Sequence, residues 1–484
     1  MLTKSKYLNG QQCVKRLWIE EHARGLLGPA SPTMAHLRRQ GSEVGRLART
    51  HFPAGRLIGG VGVGAVAATR RALAQGATCL FEAAFVHEDV LVRCDILLQQ
   101  PNGAWTLIEV KSTTQVKQHH LHDLAVQAWV LAGVGIRLGA VEVMHLNNRT
   151  CVYPDLARLF VRVDVTRLVG RMARRVAAQV RRLHQRVRQP SMPRVAIGPH
   201  CTTPFGCPAR GHCWQDVPMH SVFTIPRLSP QKLTQLLGLG LVRVQDIPAD
   251  FPLSPSQWAY IRRVVSGQAE IATARIGARV AELVFPLYFL DFEAFAYAVP
   301  RYAGMRPYQQ LPFQYSCHVL AADSTLTQRD YLHMTEDDPR PALAARLLQD
   351  IGPVGSIVVY HAAFERSVLL DLARSLPALG APLRGMAARL WDQLEIFQHD
   401  YLDPAFEGSN SIKRVLAVLA PELRYDDLAV KRGDQAQAVW QQLLEAESEA
   451  ARRALAAQLR AYCTRDTLAM VAIHRHLIGV VAGE

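Results

Sequence analysis

The stretch LVRCDILLQQPNGAWTLIEVK, residues 91–111, decides how the first half of the chain folds. Two apolar runs, Leu91–Leu98 and Trp105–Val110, read as strands joined by a turn at Pro101-Asn102-Gly103. Each carries one acid, Asp95 in the first and Glu109 in the second. Lys111 follows two residues after Glu109, so the pleat points both side chains to one face. A carboxylate pair and a lysine on an apolar sheet face are costly to bury unless something binds there. A divalent metal and a phosphate would satisfy all three, which leads to the expectation of a metal-dependent nuclease centre.

Charge locates the expected partner. The 484 residues carry a formal net charge of +14. Residues 1–225 hold 29 Lys and Arg against 13 Asp and Glu, and the rest hold 26 against 28, so the excess belongs to the half containing the opening stretch. Much of it lies between Arg158 and Arg188, where Arg174, Arg175, Arg181 and Arg182 are candidate nucleic-acid contacts. A solvated arginine-rich helix is the plainer alternative. Hydrophobic residues make up 49% of the chain, and no apolar run is long enough to span a bilayer, so no membrane partner is expected. The N-terminus MLTKSKYLNGQQC lacks the apolar core of a signal peptide, and a cytoplasmic location is expected.

Outward from the opening stretch, the N-terminal side predicts a helix capped near Thr3 that reaches Cys13, Arg16 and Trp18. Residues 34–51 read as a helix interrupted by Gly41 and Gly45, and Ala65–Gln75 as another, after a glycine-rich turn. Phe81–Phe85 is a strand. Beyond Lys111 come a helix holding Asp123 and Gln127 on one face, strands at Val141–Asn147 and Phe160–Val163, and one arginine-rich helix. The alternation predicts an α/β sheet domain over residues 1–220.

The nine cysteines form no disulfide framework in such a chain. Cys79, Cys94, Cys151, Cys317 and Cys463 sit in apolar settings and read as packing residues. Cys201, Cys207 and Cys213 punctuate a Pro/Gly-rich loop, HCTTPFGCPARGHCW, and suggest metal ligands with Cys13 as a distant fourth. The spacing lacks the CxxC pairs usual for zinc and suits a bulkier iron–sulfur cluster, with zinc as the alternative.

Residues 221–284 read as a helical linker, with a turn at Gly238-Leu239-Gly240 that would also fit a helix–hairpin–helix. A second domain is expected over 285–484. In LYFLDFEAF, Asp291 and Glu293 alternate and face one way; Glu365 opens a helix after the strand Ile357–Tyr360. Strand Phe313–Leu320 lies between these two motifs, and Asp392 stands at another boundary. A single long helix, Gln442–Leu477, stacks Tyr462 one turn before Asp466. Two metals about 3.5–4 Å apart, held by carboxylates, serve phosphodiester hydrolysis, and Tyr462 is placed to orient water. Such ions are usually Mg²⁺ or Mn²⁺.

LDFE, YHAAFE and YCTRD resemble the three motifs of the DnaQ-like (DEDD) 3′→5′ exonucleases of RNase H-like fold, in their tyrosine branch. The departure is Glu365, where the family has Asp; Asp392 is the fallback acid. In GSNSIKRVL, Ser409, Ser411 and Lys413 are candidate contacts to substrate phosphate. The N-terminal half resembles RecB-like nucleases of the PD-(D/E)XK superfamily: Asp95 and Glu109-Val110-Lys111 match its core, and Gln127 the glutamine of its next helix, a candidate nucleic-acid contact. The cysteine pattern resembles its iron–sulfur branch. Gly45 stands where that family has a histidine, with Glu43 and His51 nearby.

The resemblance implies an α/β chain with a restriction-endonuclease-like domain and cysteine cluster, a helical linker and an RNase H-like domain. It implies DNA hydrolysis, in repair, recombination or defence. Asp95 and Glu109 would hold metal, while Lys111 would position water or steady developing charge. Asp291, Glu293, Glu365 and Asp466 would hold a metal pair, and the cluster would be structural. RNA exonuclease activity and a non-catalytic nucleic-acid-binding adaptor are the alternatives. No ATP-binding motif is present, so unwinding would need a separate helicase.

Overall fold

The computed structural model describes residues 1–29 and 32–483, with Pro32, Thr33 and Ala35 placed only as part of a helix. The fold is mixed α/β and divides into two compact units. One is Met1–Asp216 with Tyr297–Gln309; the other is Val217–Ala296 with Gln310–Glu484. Residues 221–284, expected as a linker, therefore group with the second unit, and the loop 297–309 with the first.

The first unit runs β1 (Leu2–Thr3), α1 (Lys4–Gln12), α2 (Val14–His22), α3 (Pro32–Arg49), β2 (Arg56–Leu57), α4 (Gly62–Ala74), β3 (Cys79–His87), β4 (Val90–Gln99) and β5 (Trp105–Lys111). It continues through α5 (Gln118–Gly133), β6 (Leu138–Leu146), β7 (Phe160–Asp164), α6 (Thr166–Ala173), α7 (Val176–Val187) and α8 (Arg210–Cys213). The strands form one sheet in the order β2-β3-β4-β5-β6-β7. β3, β4 and β5 are antiparallel, β5 and β6 parallel. The opening turn closes on Gly103, whose φ of +78° suits a residue without Cβ.

The register positions the site. β5 pairs with β4 only from Trp105 to Ile108, and Glu109, Val110 and Lys111 then follow β6 alone. Into the mouth between the diverging strands comes β1, pairing in parallel with Val90 and Leu91 of β4. The first residue of α1 is Lys4, and Thr3 caps that helix by accepting from Lys6 N–H. One sheet face is packed by Tyr7, Leu17, Leu124, Val130, Val180 and Leu183; on the other, Ala48 of α3 meets Phe81, Ile96 and Ile108.

Four expected elements differ in extent. The first helix is two helices, broken where Cys13 turns extended (φ −160°, ψ 119°). The arginine-rich helix breaks at Arg174 and Arg175. Gly41 and Gly45 do not interrupt α3, and the glycine run after Gly60 enters α4 at Gly62.

The second unit runs α9 (Pro230–Gly238), α10 (Pro255–Ser266), β8 (Glu270–Ile271), α11 (Thr273–Val280), β9 (Leu287–Ala296), β10 (Gln310–Leu320), β11 (Leu326–Leu332), α12 (Pro339–Asp350) and β12 (Ile357–Val359). Then come α13 (Ala362–Ser375), α14 (Gly380–Ala388), β13 (Leu390–Asp392), α15 (Leu394–His399), β14 (Tyr401–Leu402), α16 (Ile412–Leu419), α17 (Gly433–Glu445) and α18 (Glu449–Ala482). Five strands form a sheet, β11-β10-β9-β12-β13, antiparallel as far as β9 and parallel beyond it. Leu290 and Phe292 of β9 pack with α12 and α13, while Phe289 alternates to the opposite face, which α18 covers through Met470 and Val471. Asp291 and Glu293 share the phase of Phe289 and so face α18.

The long C-terminal helix is also two, because the chain turns extended at Ala446 and Ser448 then caps α18. The stretch 226–250 holds one helix, α9, and the next begins only at Pro255. Both pack around a small core of Val222, Leu236, Val244, Tyr260 and Ile261.

Candidate functional site

In the first unit, Glu109 and Asp123 lie buried beneath two ammonium groups. Lys111 Nζ is 2.7 Å from Glu109 Oε1 and 2.5 Å from Asp123 Oδ2. Lys4 Nζ lies 2.8 Å from the same Glu109 oxygen and 3.1 Å from Asp123 Oδ1. Gln127 completes the set by donating to Glu109 Oε2 at 2.7 Å. Asp95, on β4, accepts from Val110 N–H at 2.8 Å.

The titration follows from these contacts. Burial alone would push Asp123 up, but Lys4 and Lys111 outweigh it and hold the carboxyl well below its usual range. Burial would likewise push both lysines down, and the acids, Glu109 foremost, raise them instead. Asp95 moves the other way, to about 7, because burial and the Glu109 charge exceed the help of the lysines. A cavity of about 530 Å³ opens beside Asp95, lined by Arg38, Gly41, Ser42, Gly45 and Arg49 of α3 with Glu82. No atom lies within 4 Å of a Cβ built on Gly45, and only Ser112 Oγ, at 4.0 Å, meets one on Gly41, so these glycines leave the cleft unfilled. His51 packs edge-on against Phe160, and Glu43 reaches toward Arg301 at 3.9 Å.

Lys4 and Asp123 are the members that sequence reading missed. Asp123 was visible through its four-residue spacing from Gln127, whereas Lys4 carries no signal beyond a place in a first helical turn. Gln127, expected to touch nucleic acid, is fully buried and committed to Glu109. Lys4 and Lys111 share one Glu109 oxygen and Gln127 donates to the other, so the chain's own donors already meet this carboxylate.

The four cysteines Cys13, Cys201, Cys207 and Cys213 line one small cavity and none is in a disulfide. Cys13 supplies the break between α1 and α2, and the others come from the loop around α8. Burial pushes the thiols of Cys13 and Cys207 up, and neighbouring sulfurs of the set add to it. Backbone N–H groups of Arg16 and Lys15, at the start of α2, oppose this at Cys13. Arg174, Arg175, Arg181 and Arg182 are all exposed.

The second unit brings Asp291 and Glu293 of β9 against Asp466 of α18, with ligand atoms all within 4.8 Å of one another. Among the described residues this is the one group of three or more His, Cys, Asp or Glu drawn so close. Burial, then mutual repulsion, raises Asp291 well above the carboxylate range and Glu293 to about 8. Burial also raises Asp466, to about 6, against the phenols of Tyr425 and Tyr462 and the charge of Lys413. Glu365, in the first turn of α13, stands outside the knot, but its charge is felt at Asp291. It is 3% exposed, its Oε2 has no hydrogen-bond partner, and burial raises it to about 8.

Around the knot, Tyr425 donates to Asp466 Oδ1 at 2.5 Å. Lys413 donates to the Tyr462 hydroxyl at 3.1 Å and to the carbonyl of Lys431, its ammonium 4.7 Å from the Tyr425 ring centre and 4.9 Å from that of Tyr462. Lys413 is thus part of the site's wall. Ser411 precedes α16 as its N-cap residue, and Ser409 is exposed. Cys463, read as a packing residue, also faces Asp291 Oδ2 at 3.7 Å. Asp392, the fallback acid, is committed to backbone: it accepts from His361, Ala362 and Leu394 N–H. Those bonds hold His361 at φ +82° and so set the start of α13 that carries Glu365. Tyr425 was missed because nothing in its spacing ties it to Asp466.

Residues 288–411 match a family described only as a domain of unknown function, DUF2779. The match takes in Asp291, Glu293 and Glu365 and ends before Asp466. No curated protein matches the chain. Among solved structures, one titled "Crystal structure of SSO0001" is 12% identical, covering 37% of this chain and 75% of that one with a TM-score of 0.19. Nothing about fold follows from a likeness of that size. No helix among the described residues is long and apolar enough to cross a membrane.

Proposed function

We propose that the chain is a metal-dependent nuclease hydrolysing phosphodiester bonds of DNA, with Asp291, Glu293, Glu365 and Asp466 as its cutting centre. One observation carries this reading: three acids, Glu293 and Asp466 buried and Asp291 half-buried, with ligand atoms within 4.8 Å and no ion pair to a cation among the described residues. So many hard oxygens in one dry place suit Mg²⁺ or Mn²⁺, and the partnerless Glu365 Oε2 is a further donor in wait. When bound, such ions supply charge neutralisation and Lewis acidity at the scissile phosphate.

The chain's own groups have distinct tasks. Tyr425 fixes the rotamer of Asp466 through its O–H. Lys413 fixes the Tyr462 hydroxyl, which lies beside the acids and is placed to orient an attacking water. Acids presented from β9, α13 and α18 agree with the DnaQ-like, RNase H-like resemblance. The mixed sheet carrying Asp95 and Glu109-Val110-Lys111 agrees with the RecB-like one.

For the cysteines we favour a structural 4Fe–4S cluster. Four thiols on one cavity fit a four-sulfur donor set. A single tetrahedral zinc, with Zn–S near 2.3 Å, needs sulfurs about 3.8 Å apart. The spacing of Cys201, Cys207 and Cys213 lacks the CxxC pairs usual for zinc and suits a bulkier cluster.

At the first centre a non-catalytic reading has an observation in its favour, the lysines that saturate Glu109 and Asp123. The test is digestion of 3′-labelled and 5′-labelled single- and double-stranded DNA and RNA in Mn²⁺, by wild type, Asp291→Ala and Lys111→Ala. Wild type should shorten DNA from its 3′ end, and Asp291→Ala should not. Cutting of RNA alone would replace the substrate, and no cutting of any polymer would end the enzyme reading.

A further inference from the structure

We infer that the first unit holds a phosphate-binding pocket beside the cysteine cavity, separate from both acidic centres, that receives one phosphate of a nucleic-acid strand. The pocket is about 320 Å³ and is lined by Arg182 and Arg186 of α7, Arg194, Gln11, Gln12 and His200. No acid lines it. The two α7 arginines are four residues apart and therefore stacked on one helix face. Val180 and Leu183 anchor that helix in the core.

Cationic donors converge here without a carboxylate. Arg182, Arg186 and Arg194 form no ion pair among the described residues, and guanidinium groups only donate. Gln11 is the sharper observation. Its Nε2 is buried with no hydrogen-bond partner. A buried donor left open costs about 1–3 kcal/mol, and a rotation of this side chain, whose residue lines the pocket, would bring the amide to an acceptor bound there. Gln12 does not compete, since its own Nε2 is bonded to the carbonyls of His200 and Phe205 and its Oε1 to Arg16.

An acceptor-only, multiply charged group of small size satisfies three guanidinium forks and an amide together, and phosphate is that group. The pocket is larger than one phosphate, which leaves room for the attached sugar. The phosphate can be terminal or internal to the strand, and both present the same oxygens. Its wall includes Cys13, so whatever fills the cysteine cavity also holds this pocket in shape. The inference does not depend on either acidic centre cutting.

The experiment is fluorescence anisotropy of the full chain with a labelled single-stranded oligodeoxynucleotide, bearing either a 5′-phosphate or a 5′-hydroxyl, without added divalent metal. Arg182→Ala/Arg186→Ala should weaken binding about 10-fold or more and flatten the log K against log salt slope by about 1–2. Arg167→Ala/Arg171→Ala, which removes two exposed arginines outside the pocket, should change Kd by less than about twofold. Gln11→Leu, of similar size, should weaken binding several-fold with an unchanged circular dichroism spectrum. Preference for the 5′-phosphate places the strand's end in the pocket, and indifference places an internal phosphate there. Equal losses from the two arginine pairs would mean a general basic face and would overturn the inference. So would unaltered binding in both Arg182→Ala/Arg186→Ala and Gln11→Leu.

Discussion

Glu109 and Asp123 in the first unit share two ammonium groups within 3.1 Å, whereas Asp291, Glu293 and Asp466 in the second share none. Both sets are buried but for half-buried Asp291, and each pairs an acid on a strand with an acid on a helix. The difference lies in what meets the charge. In the first unit the chain brings its own cations, one on the same strand as Glu109 and one at the entrance to α1. In the second, the nearest lysine is turned toward phenol oxygens and rings. A buried carboxylate with no partner either takes up a proton or waits for a cation. The first set meets its charge with ion pairs from within the chain, and the second has no such ion pair among the described residues.

The comparison breaks most readily at the second centre. Asp466→Asn should cut catalysis by about 10²–10⁴-fold, the range for loss of a group acting on developing charge or a transferring proton. The same change should raise the melting temperature in EDTA, because it relieves repulsion that metal-free protein cannot compensate. Loss of activity with a lowered melting temperature would instead make Asp466 a structural residue.

At the first centre the sign reverses. Lys111→Met should destabilise the fold by about 3 kcal/mol, measured by urea unfolding, since it strips a partner from buried Asp123 and Glu109. Lys4→Met should do the same in the same direction. If either is neutral, the lysines decorate the centre rather than complete it.

Acidity sharpens the contrast further. Folding raises Glu293 from 4.5 to about 8 and Asp466 from 3.8 to about 6, so the native state holds protons the unfolded chain has lost. Their contribution is fully present below about pH 4 and falls away as pH rises toward 8. Mn²⁺ should restore stability at the upper end, where the acids are free of protons. Asp123, held below its ordinary 3.8, contributes above that value and loses its contribution on acidification. Thermal melts from pH 5 to 8 with EDTA should show the decline in wild type and a shallower one in Glu293→Gln. The smallest expected effect is Tyr425→Phe, which removes the O–H on Asp466 and should lower the cutting rate by about 10-fold or less, without affecting folding.

Much of this was legible because the relevant residues lie on regular elements. Strand alternation puts Asp291 with Glu293 and Glu109 with Lys111, and helical spacing puts Tyr462 with Asp466 and Asp123 with Gln127. The acid at Glu365 follows from its place in a first helical turn. What was not legible depends on contacts between remote segments. Lys4 is 105 residues from Glu109 and reaches it only because β1 pairs with β4 where β5 has turned away. Tyr425 reaches Asp466 from an irregular stretch before α17, where no periodicity marks an inward side chain. Asp392 shows that an acid at a strand end can serve as a cap for backbone N–H groups, a use its sequence position does not distinguish from metal binding. The grouping of residues 297–309 with the first unit also has no local sign, because the β9–β10 connection is in sequence an ordinary hairpin loop.

Electron paramagnetic resonance of Mn²⁺ titrated into the full chain tests the central claim most directly, because it counts bound metal whatever the substrate. Wild type at pH 8 should bind Mn²⁺, Asp291→Asn/Glu293→Gln should lose that binding, and Lys111→Met should keep it. Retention of all binding in Asp291→Asn/Glu293→Gln would contradict the account.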